Sequence, residues 1–240
     1  MINAVIPARF GSQRVHNKNL RLLGNHPLLA YSIEACKQAL NIDRVIVSTD
    51  SQEIADIALS YGAEVPFLRP EKFARNDSSD HGFLNHFFDN IDCHEVALIR
   101  PTTPLRDPAF IDEIVTDFHE EDAGWTGLRT MAFSNHSPYK MFMIDAGLCC
   151  GFFSDFKGVK DYSNLPGQAF PKTYIPNGYI DIVKKTTVKS GSSFGDWIHA
   201  KISPEILDID TEFDFRMVEL QIQTEFDRLS HALDERTKND

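Results

Sequence analysis

The stretch Val5-Ile6-Pro7-Ala8-Arg9-Phe10-Gly11-Ser12-Gln13-Arg14-Val15-His16-Asn17-Lys18-Asn19 decides how the rest of this sequence of 240 residues is interpreted. Its start continues an apolar run from Ala4, which predicts a buried β-strand. The part that follows is rich in Gly, Ser and Asn and carries three cations, and no Asp or Glu precedes Glu34. Cations crowded onto one loop repel each other unless an anion compensates them. The pattern therefore predicts a binding site for an anion such as a polyphosphate.

Composition narrows the class of protein. The formal net charge of -11 argues against nucleic acid as a partner, because no basic stripe exists beyond the local cluster near the start. No apolar run approaches the ~20 residues that cross a bilayer, and the first residues lack the pattern of a signal peptide. The four cysteines have no metal-ligand spacing. We expect one domain over 1–240, located in the cytoplasm.

Strand-like and helix-like segments alternate, which predicts an α/β domain with a largely parallel sheet. The predicted strands are 4–6, 44–48, 64–67, 96–99 and 124–128. The predicted helices are 27–36, 51–58, 108–118 and 212–233. Residues 134–176 interrupt this rhythm with Pro, Gly, Lys and aromatic side chains. We interpret them as an insertion that forms a dimer contact or one side of a substrate site.

A pair of acidic residues, Asp208 and Asp210, lies near the end of the sequence. In an extended segment these side chains point to the same side, because strand side chains alternate with a period of two. Paired carboxylates repel each other without a cation, and hard oxygen ligands suit Mg²⁺. The alternative is a strand that leads into a helix, with Asp210 or Thr211 as the N-cap. Next to a cationic phosphate loop, the metal site is the favoured interpretation.

Several motifs in this order resemble those of the CMP-sialic acid synthetase family, the cytidylyltransferases that activate nonulosonic acids. The resemblance covers nearly the whole chain. The matching segments are Pro7-Ala8-Arg9 with Ser12 and Lys18-Asn19, Val47-Ser48-Thr49-Asp50, Leu68-Arg69-Pro70 with Asp77-Ser78-Ser79, Pro101-Thr102-Thr103-Pro104-Leu105-Arg106, Pro176-Asn177-Gly178-Tyr179-Ile180, and Asp208-Ile209-Asp210-Thr211.

The resemblance implies a Rossmann-like nucleotidyltransferase fold, with a mostly parallel sheet and helices on both faces. It implies a homodimer that joins CTP to an acidic nine-carbon sugar of the sialic, legionaminic or pseudaminic type, with Mg²⁺ or Mn²⁺. The implied nucleotide-binding residues are Ala8, Arg9, Ser12, Arg14, Lys18, Asn19, Arg69, Ser78 and Ser79. The implied sugar-binding residues are Arg100, Thr102, Gln168, Asn177 and Tyr179. The implied metal ligands are Asp208 and Asp210, which with Arg9 and Lys18 would be catalytic.

The sequence departs from the family pattern at positions that concern the sugar and the phosphates. Gln13 stands where Lys is common, His16 where Pro is usual, Arg100 where Gln is typical, and both Gly167 and Ile175 where Arg is expected. Arg100 could replace the missing arginines as the partner of the sugar carboxylate. Two alternatives stay open: a metal-dependent glycosyltransferase, and a catalytically degenerate cytidylyltransferase-like subunit.

Overall fold

Strands and helices alternate through most of the chain, and the computed structural model describes residues 1–12, 14–120, 124–224 and 228–239. The strands of the described residues are β1 (Ile2–Pro7), β2 (Leu22–Leu23), β3 (His26–Pro27), β4 (Ile42–Ser48), β5 (Glu95–Leu98), β6 (Gly127–Phe133), β7 (Phe142–Asp145), β8 (Leu148–Gly151), β9 (Tyr174–Lys184) and β10 (Ile198–Ile202). The helices are α1 (Leu28–Gln38), α2 (Gln52–Ser60), α3 (Asp80–Asn90), α4 (Pro108–Glu120), α5 (Lys185–Lys189), α6 (Glu212–Thr224) and α7 (Arg228–Asn239).

The main sheet has six strands in the order β10-β6-β9-β5-β1-β4. Strand β1 pairs in parallel with β4 and β5, and β10 pairs in parallel with β6. Strand β9 runs antiparallel to both of its neighbours, β5 and β6. The predicted α/β class with a mainly parallel sheet is therefore confirmed, with one reversed strand inside the sheet.

Helices cover both faces of this sheet, because side chains along each strand alternate between two buried layers. In β1, Ala4 and Ile6 pack in the layer that contains α1, α4, α6 and α7. The side chain between them, Val5, packs in the other layer against α3 and α5. Apolar residues on both faces of a strand are typical of a parallel sheet covered by helices. The prediction of helices on both faces is confirmed.

Most of the predicted elements are present, with shifted ends. The strands predicted at 4–6, 44–48 and 96–99 correspond to β1, β4 and β5, and the one at 124–128 corresponds to β6, which begins later. Within residues 64–67 only Glu64 forms an isolated bridge, to Ile46 of β4, so that strand prediction was wrong. The predicted helix 212–233 corresponds to α6 and α7, with residues 225–227 outside the described part.

The region 134–176 contains an antiparallel hairpin, β7 with β8, whose apolar side chains face outward. Ile144 is 78% exposed and Leu148 is 69% exposed. Beside the hairpin, Tyr139 stacks on Phe153 and Phe170 with ring centroids 4.5 and 5.2 Å apart. The hairpin β7–β8, which we call the arm, therefore lies beside a cluster of aromatic side chains and has an apolar exposed surface. In the described residues, no helix has the length and apolar character needed to cross a bilayer.

Candidate active site

A cavity of about 470 Å³ lies where β1, β4 and β5 end, and most of the predicted site residues line it. Parallel strands place their carboxyl ends at one edge of the sheet, which explains why loops distant in sequence meet there. The predicted residues that line the cavity are Arg9, Ser12, Arg14, Lys18, Asn19, Arg69, Ser78, Ser79, Arg100, Thr102 and Asp210. Gln13, one of the family departures, lies outside the described residues.

Positive charge dominates the walls of this cavity. Six cationic side chains line it, and the carboxylates that accompany them are Asp80 and Asp210. The cations are Arg9, Arg14, Lys18, Arg69, Arg75 and Arg100. In a chain with a formal net charge of -11, this concentration of positive charge favours the binding of an anion in the cavity. Arg75, which is exposed and lies between the matching segments 68–70 and 77–79, was not among the predicted site residues.

The loop after β1 is fixed by hydrogen bonds at both ends. Asn19 donates from Nδ2 to the carbonyl of Arg9 at 2.9 Å, and Arg9 donates from Nη1 to the carbonyl of Arg75 at 2.7 Å. The backbone N–H of Phe10 donates to Asp50 Oδ1 at 2.9 Å. Asp50 therefore ties the loop to the end of β4, while Ser51 is the residue that caps α2. These bonds hold the Arg9 side chain and the two ends of the loop in place.

Lys18 connects this loop to the acidic segment near the end of the chain. Its Nζ donates to the carbonyl of Ile209 at 2.7 Å, and the N–H of Ile209 donates to the carbonyl of Thr102 at 2.7 Å. Burial lowers the pKa of Lys18, while Asp210 and Asp208 oppose that shift. The predicted cationic loop and the predicted aspartate pair are therefore neighbours.

The aspartate pair flanks a buried apolar residue. Ile209 is buried in the core, whereas Asp208 and Asp210 on either side of it are exposed, as the period of two predicts. Asp210 lines the cavity and approaches Arg14 at 3.5 Å between Oδ2 and Nη1. Among the described residues, no three His, Cys, Asp or Glu side chains are grouped closely enough to hold a metal. The carboxylates that could hold a cation here are those of this pair.

Arg69 is held firmly at the β4 side of the cavity. Its backbone N–H donates to the carbonyl of Thr49 at 2.6 Å, and its guanidinium donates to the side chain and the carbonyl of Ser48. Burial lowers the pKa of Arg69 to about 10. Its guanidinium carbon lies 4.9 Å from the centre of the Phe83 ring, and both side chains line the cavity. This end of the cavity combines aromatic faces with hydrogen-bonding groups.

Arg100 lines the cavity with its guanidinium already bound to carboxylates. Nη1 donates to Asp181 Oδ2 at 2.6 Å, and Nη2 donates to Asp80 Oδ2 at 2.7 Å. Burial would lower the pKa of Arg100, but Asp181 and Asp80 outweigh it, so the pKa is raised above its ordinary value. The hypothesis that Arg100 binds a sugar carboxylate stays a prediction, and these existing ion pairs compete with it.

Five of the predicted residues do not line the cavity: Ala8, Gln168, Asn177, Tyr179 and Asp208. Ala8 is buried, and its N–H donates to the carbonyl of Ser48 at 3.0 Å. Asn177 lies in β9; its Oδ1 accepts from the N–H of Tyr179 at 3.3 Å, and its Nδ2 donates to the Ser203 hydroxyl. Tyr179 is buried; its hydroxyl accepts from the N–H of Asp107 at 2.6 Å, and burial raises its pKa to about 12. In this structure the side chains of Asn177 and Tyr179 are buried and bond to neighbouring parts of the chain, and they do not line the cavity.

The exposed Gln168 lies in the turn Gly167–Ala169, within the inserted region. The family departures His16, Gly167 and Ile175 are also exposed. None of these four residues lines the cavity of a single chain. Their predicted roles are not tested by the geometry of one chain.

Comparison with known proteins identifies the family. The sequence profile of the cytidylyltransferase family matches residues 3–142. The N-acylneuraminate cytidylyltransferase of Escherichia coli O18:K1:H7 is 35% identical over 220 residues, which cover 90% of this chain and 51% of that protein. The chain thus spans about half the length of that relative. The post-translational flagellin modification protein B of Campylobacter coli is 31% identical over 92% of this chain and 95% of its own length.

Solved structures agree on the fold. A structure of CMP:2-keto-3-deoxy-manno-octonic acid synthetase complexed with CTP superposes with a TM-score of 0.69 over 92% of this chain and 98% of its own, at 14% identity. At that identity the likeness establishes the nucleotidyltransferase-type fold alone. Together, the profile match and the Campylobacter coli relative, which aligns along nearly its full length, show that this chain belongs to the cytidylyltransferase family.

Proposed function

We propose that this chain is a cytoplasmic, homodimeric enzyme that transfers the cytidylyl group of CTP to a nonulosonic acid, giving the CMP-sugar and pyrophosphate. The observation that carries the proposal is the convergence of six cations on one cavity at the ends of β1, β4 and β5. Family membership supports cytidylyl transfer, and the name of the Escherichia coli relative supports an acidic nine-carbon sugar as acceptor. The synthetase structure with CTP supports the nucleotide.

In this reaction the protein contributes mainly by positioning the substrates and by stabilising negative charge. The anomeric hydroxyl oxygen of the sugar forms a bond to the α-phosphorus, the bond from that phosphorus to the bridging oxygen breaks, and the hydroxyl proton passes to solvent. Negative charge grows on the departing pyrophosphate. Arg9 and Lys18 are each held by a hydrogen bond to a backbone carbonyl, so they stabilise that charge with little reorganisation, and the exposed Arg14 on the same loop adds a third positive charge. The free-energy barrier is lowered further because the cavity holds both substrates with the attacking and leaving oxygens in line.

The acidic segment supplies the oxygen ligands that a divalent cation prefers. Mg²⁺ typically takes one or two protein carboxylates and completes its shell with water and substrate phosphates. Asp208 and Asp210 are exposed carboxylates on one side of an extended segment, and Asp210 lines the cavity. These residues would hold Mg²⁺ or Mn²⁺. When bound, the ion would neutralise phosphate charge and acidify a coordinated hydroxyl.

The direct test is pyrophosphate release with each nucleoside triphosphate against a panel of nonulosonic acids. We expect release with CTP and at least one such acid, with formation of the CMP-sugar verified by mass spectrometry. A glycosyltransferase would instead consume a nucleotide sugar, and a degenerate subunit would bind CTP without turnover. Either result would contradict the proposal.

The phosphate contacts are tested by Arg9→Ala and Lys18→Ala. Each removes a preorganised cation, so each should lower kcat/KM about 100-fold or more. Arg44→Ala is the matched control, because Arg44 pairs with Glu64 at the surface and does not line the cavity. Near-normal activity in both test variants, measured in the same assay, would place the triphosphate elsewhere.

The metal proposal is tested by divalent-ion dependence and by Asp208→Asn and Asp210→Asn. Activity should require Mg²⁺ or Mn²⁺, and each substitution should reduce it at least 100-fold. The fold should persist, because both side chains are exposed and neutralising one relieves repulsion. Circular dichroism of the variants checks the fold. Full turnover in excess chelator would exclude this model.

The dimer proposal is tested by charging the exposed hairpin. Light scattering after size exclusion should give twice the mass of one chain. Ile144→Lys with Leu148→Lys should shift the protein to monomer, because these side chains lie on the outward face of the arm. The control is Leu40→Lys, whose side chain is 81% exposed and lies before β4, away from the arm. A wild-type protein that is monomeric and fully active would refute this interface.

A further inference from the structure

The acidic pair lies on a segment that has no regular secondary structure. Residues 203–210, between β10 and α6, form neither strand nor helix, so no ladder of backbone hydrogen bonds fixes them along their length. The buried residues of this segment are Ser203, at its start, and Ile209. Ile209 is therefore the core contact that lies between the two carboxylates, and the directions of the Asp208 and Asp210 side chains depend on how it is held.

Ile209 is held by its side chain and by both polar groups of its backbone. The side chain is fully buried in the core layer that contains α1 and α4. The N–H donates to the carbonyl of Thr102 at 2.7 Å, and the carbonyl accepts from Lys18 Nζ at 2.7 Å. A single residue thus joins the loop after β1, the loop after β5 and the core.

A second fixed point lies at the start of α6. Asp214 Oδ2 accepts from the N–H of Asp210 at 3.1 Å and from the N–H of Thr211 at 2.8 Å. The N–H of Asp214 donates to Thr211 Oγ1 at 3.2 Å, which completes the reciprocal arrangement of a capping box. Thr211 therefore caps α6, and the Asp210 carboxylate lines the cavity. The acidic pair lies where this helix cap and the Ile209 anchor meet.

Fixed directions matter for a pair of carboxylates that is to share a cation. Mg²⁺ demands near-ideal octahedral geometry, so ligands that turn independently bind it weakly. Side chains on an extended segment point to the same side only while the alternation along the backbone is kept. A buried side chain between Asp208 and Asp210 preserves that alternation, because the segment cannot rotate without pulling Ile209 out of the core.

We propose that Ile209 is a positioning residue that sets the affinity of the acidic pair for a divalent cation and aligns that pair with Lys18. This inference rests on the proposed function. The Ile209 side chain does not line the cavity; it acts from the core through the two carboxylates beside it. Its carbonyl acts through Lys18, whose ammonium it holds next to them. Neighbours that orient metal ligands typically change metal affinity or activity by about 10- to 100-fold.

The test compares two isoleucines of the same core layer. Ile209→Ala and Ile114→Ala remove the same atoms from side chains that are both fully buried, and Ile114 lies on α4 away from the cavity lining. Both substitutions should lower the Tm to a comparable degree. The probe is Mn²⁺, whose binding to the protein with CTP and without sugar is followed by electron paramagnetic resonance, corrected by a titration without protein. Ile209→Ala should weaken Mn²⁺ binding about 10-fold or more, and Ile114→Ala should leave it unchanged.

Turnover and a conservative variant supply further readouts. Ile209→Ala should raise the Mg²⁺ concentration for half-maximal activity by a similar factor, and Ile114→Ala should not. Ile209→Val keeps a branched apolar side chain in the core, so its Mn²⁺ affinity should lie between those of the wild type and Ile209→Ala. If either alanine variant does not fold, Ile209→Val is compared with Ile114→Val, and the variant at position 209 should bind Mn²⁺ more weakly.

The outcomes separate this inference from the proposed function. Equal Mn²⁺ affinities in the variants at positions 209 and 114, whether unchanged or equally weakened, overturn the inference and leave cytidylyl transfer intact. A wild-type protein whose Mn²⁺ binding depends on Ile209 but which catalyses no transfer supports the inference and refutes the proposed function. A wild-type protein that binds no Mn²⁺ in the presence of CTP overturns the inference, and transfer by that protein would still support the proposed reaction.

Discussion

A buried cation, Arg106, holds the site to the sheet. Its guanidinium donates to the carbonyls of Arg100 and Gly178 at 2.6 and 2.9 Å and to the Ser32 hydroxyl at 3.0 Å, and it also reaches the carbonyls of Thr103 and Tyr179. Burial lowers its pKa to about 10. An unpaired buried charge is costly, so this arrangement persists only because nearly every donor is satisfied by a fixed carbonyl. It joins the loop after β5 to the irregular part of β9 around Gly178, and Arg100 and Thr102 take their positions from that junction.

The same principle, a charge held by neighbours that cannot move, recurs around the cavity. Lys18 is bound to the carbonyl of Ile209, and Arg100 is bound to the buried Asp181. Arg69 is bound to the hydroxyl and the carbonyl of Ser48. Each contact is made between segments far apart in sequence, so the site exists only when the sheet is assembled. Cations arranged in this way have little reorganisation left to undergo when a phosphate arrives, which is the condition for electrostatic stabilisation of a transition state.

The sequence predicted the parts of the molecule in which local chemistry and long-range packing agree. The apolar run of β1, the cationic loop after it and the alternation around Ile209 are all local signals. Strand β9 was not predicted, because its Pro-Asn-Gly segment is a sequence pattern typical of a turn. It is placed by pairing with β5 and β6, which no local pattern reveals. The assignment of Asn177 and Tyr179 to the sugar rested on motif resemblance. In a single chain both side chains are buried and form hydrogen bonds within the protein.

Asp80 could not have been predicted from its neighbours in sequence. At the start of α3 an acidic residue is ordinary, because it interacts favourably with the positive end of a helix. Its significance comes from Arg100 and Asp181, which lie 20 and 101 residues later in the sequence and reach it only through the order of strands in the sheet. Replacing a neutral side chain with Arg at position 100 would leave a charge beside Asp181 that the cavity must balance, and Asp80 provides that balance. Asp80 and Arg100, which no local sequence pattern connects, thus form one electrostatic unit, and the exposed end of that unit is the Asp80 carboxylate in the cavity wall.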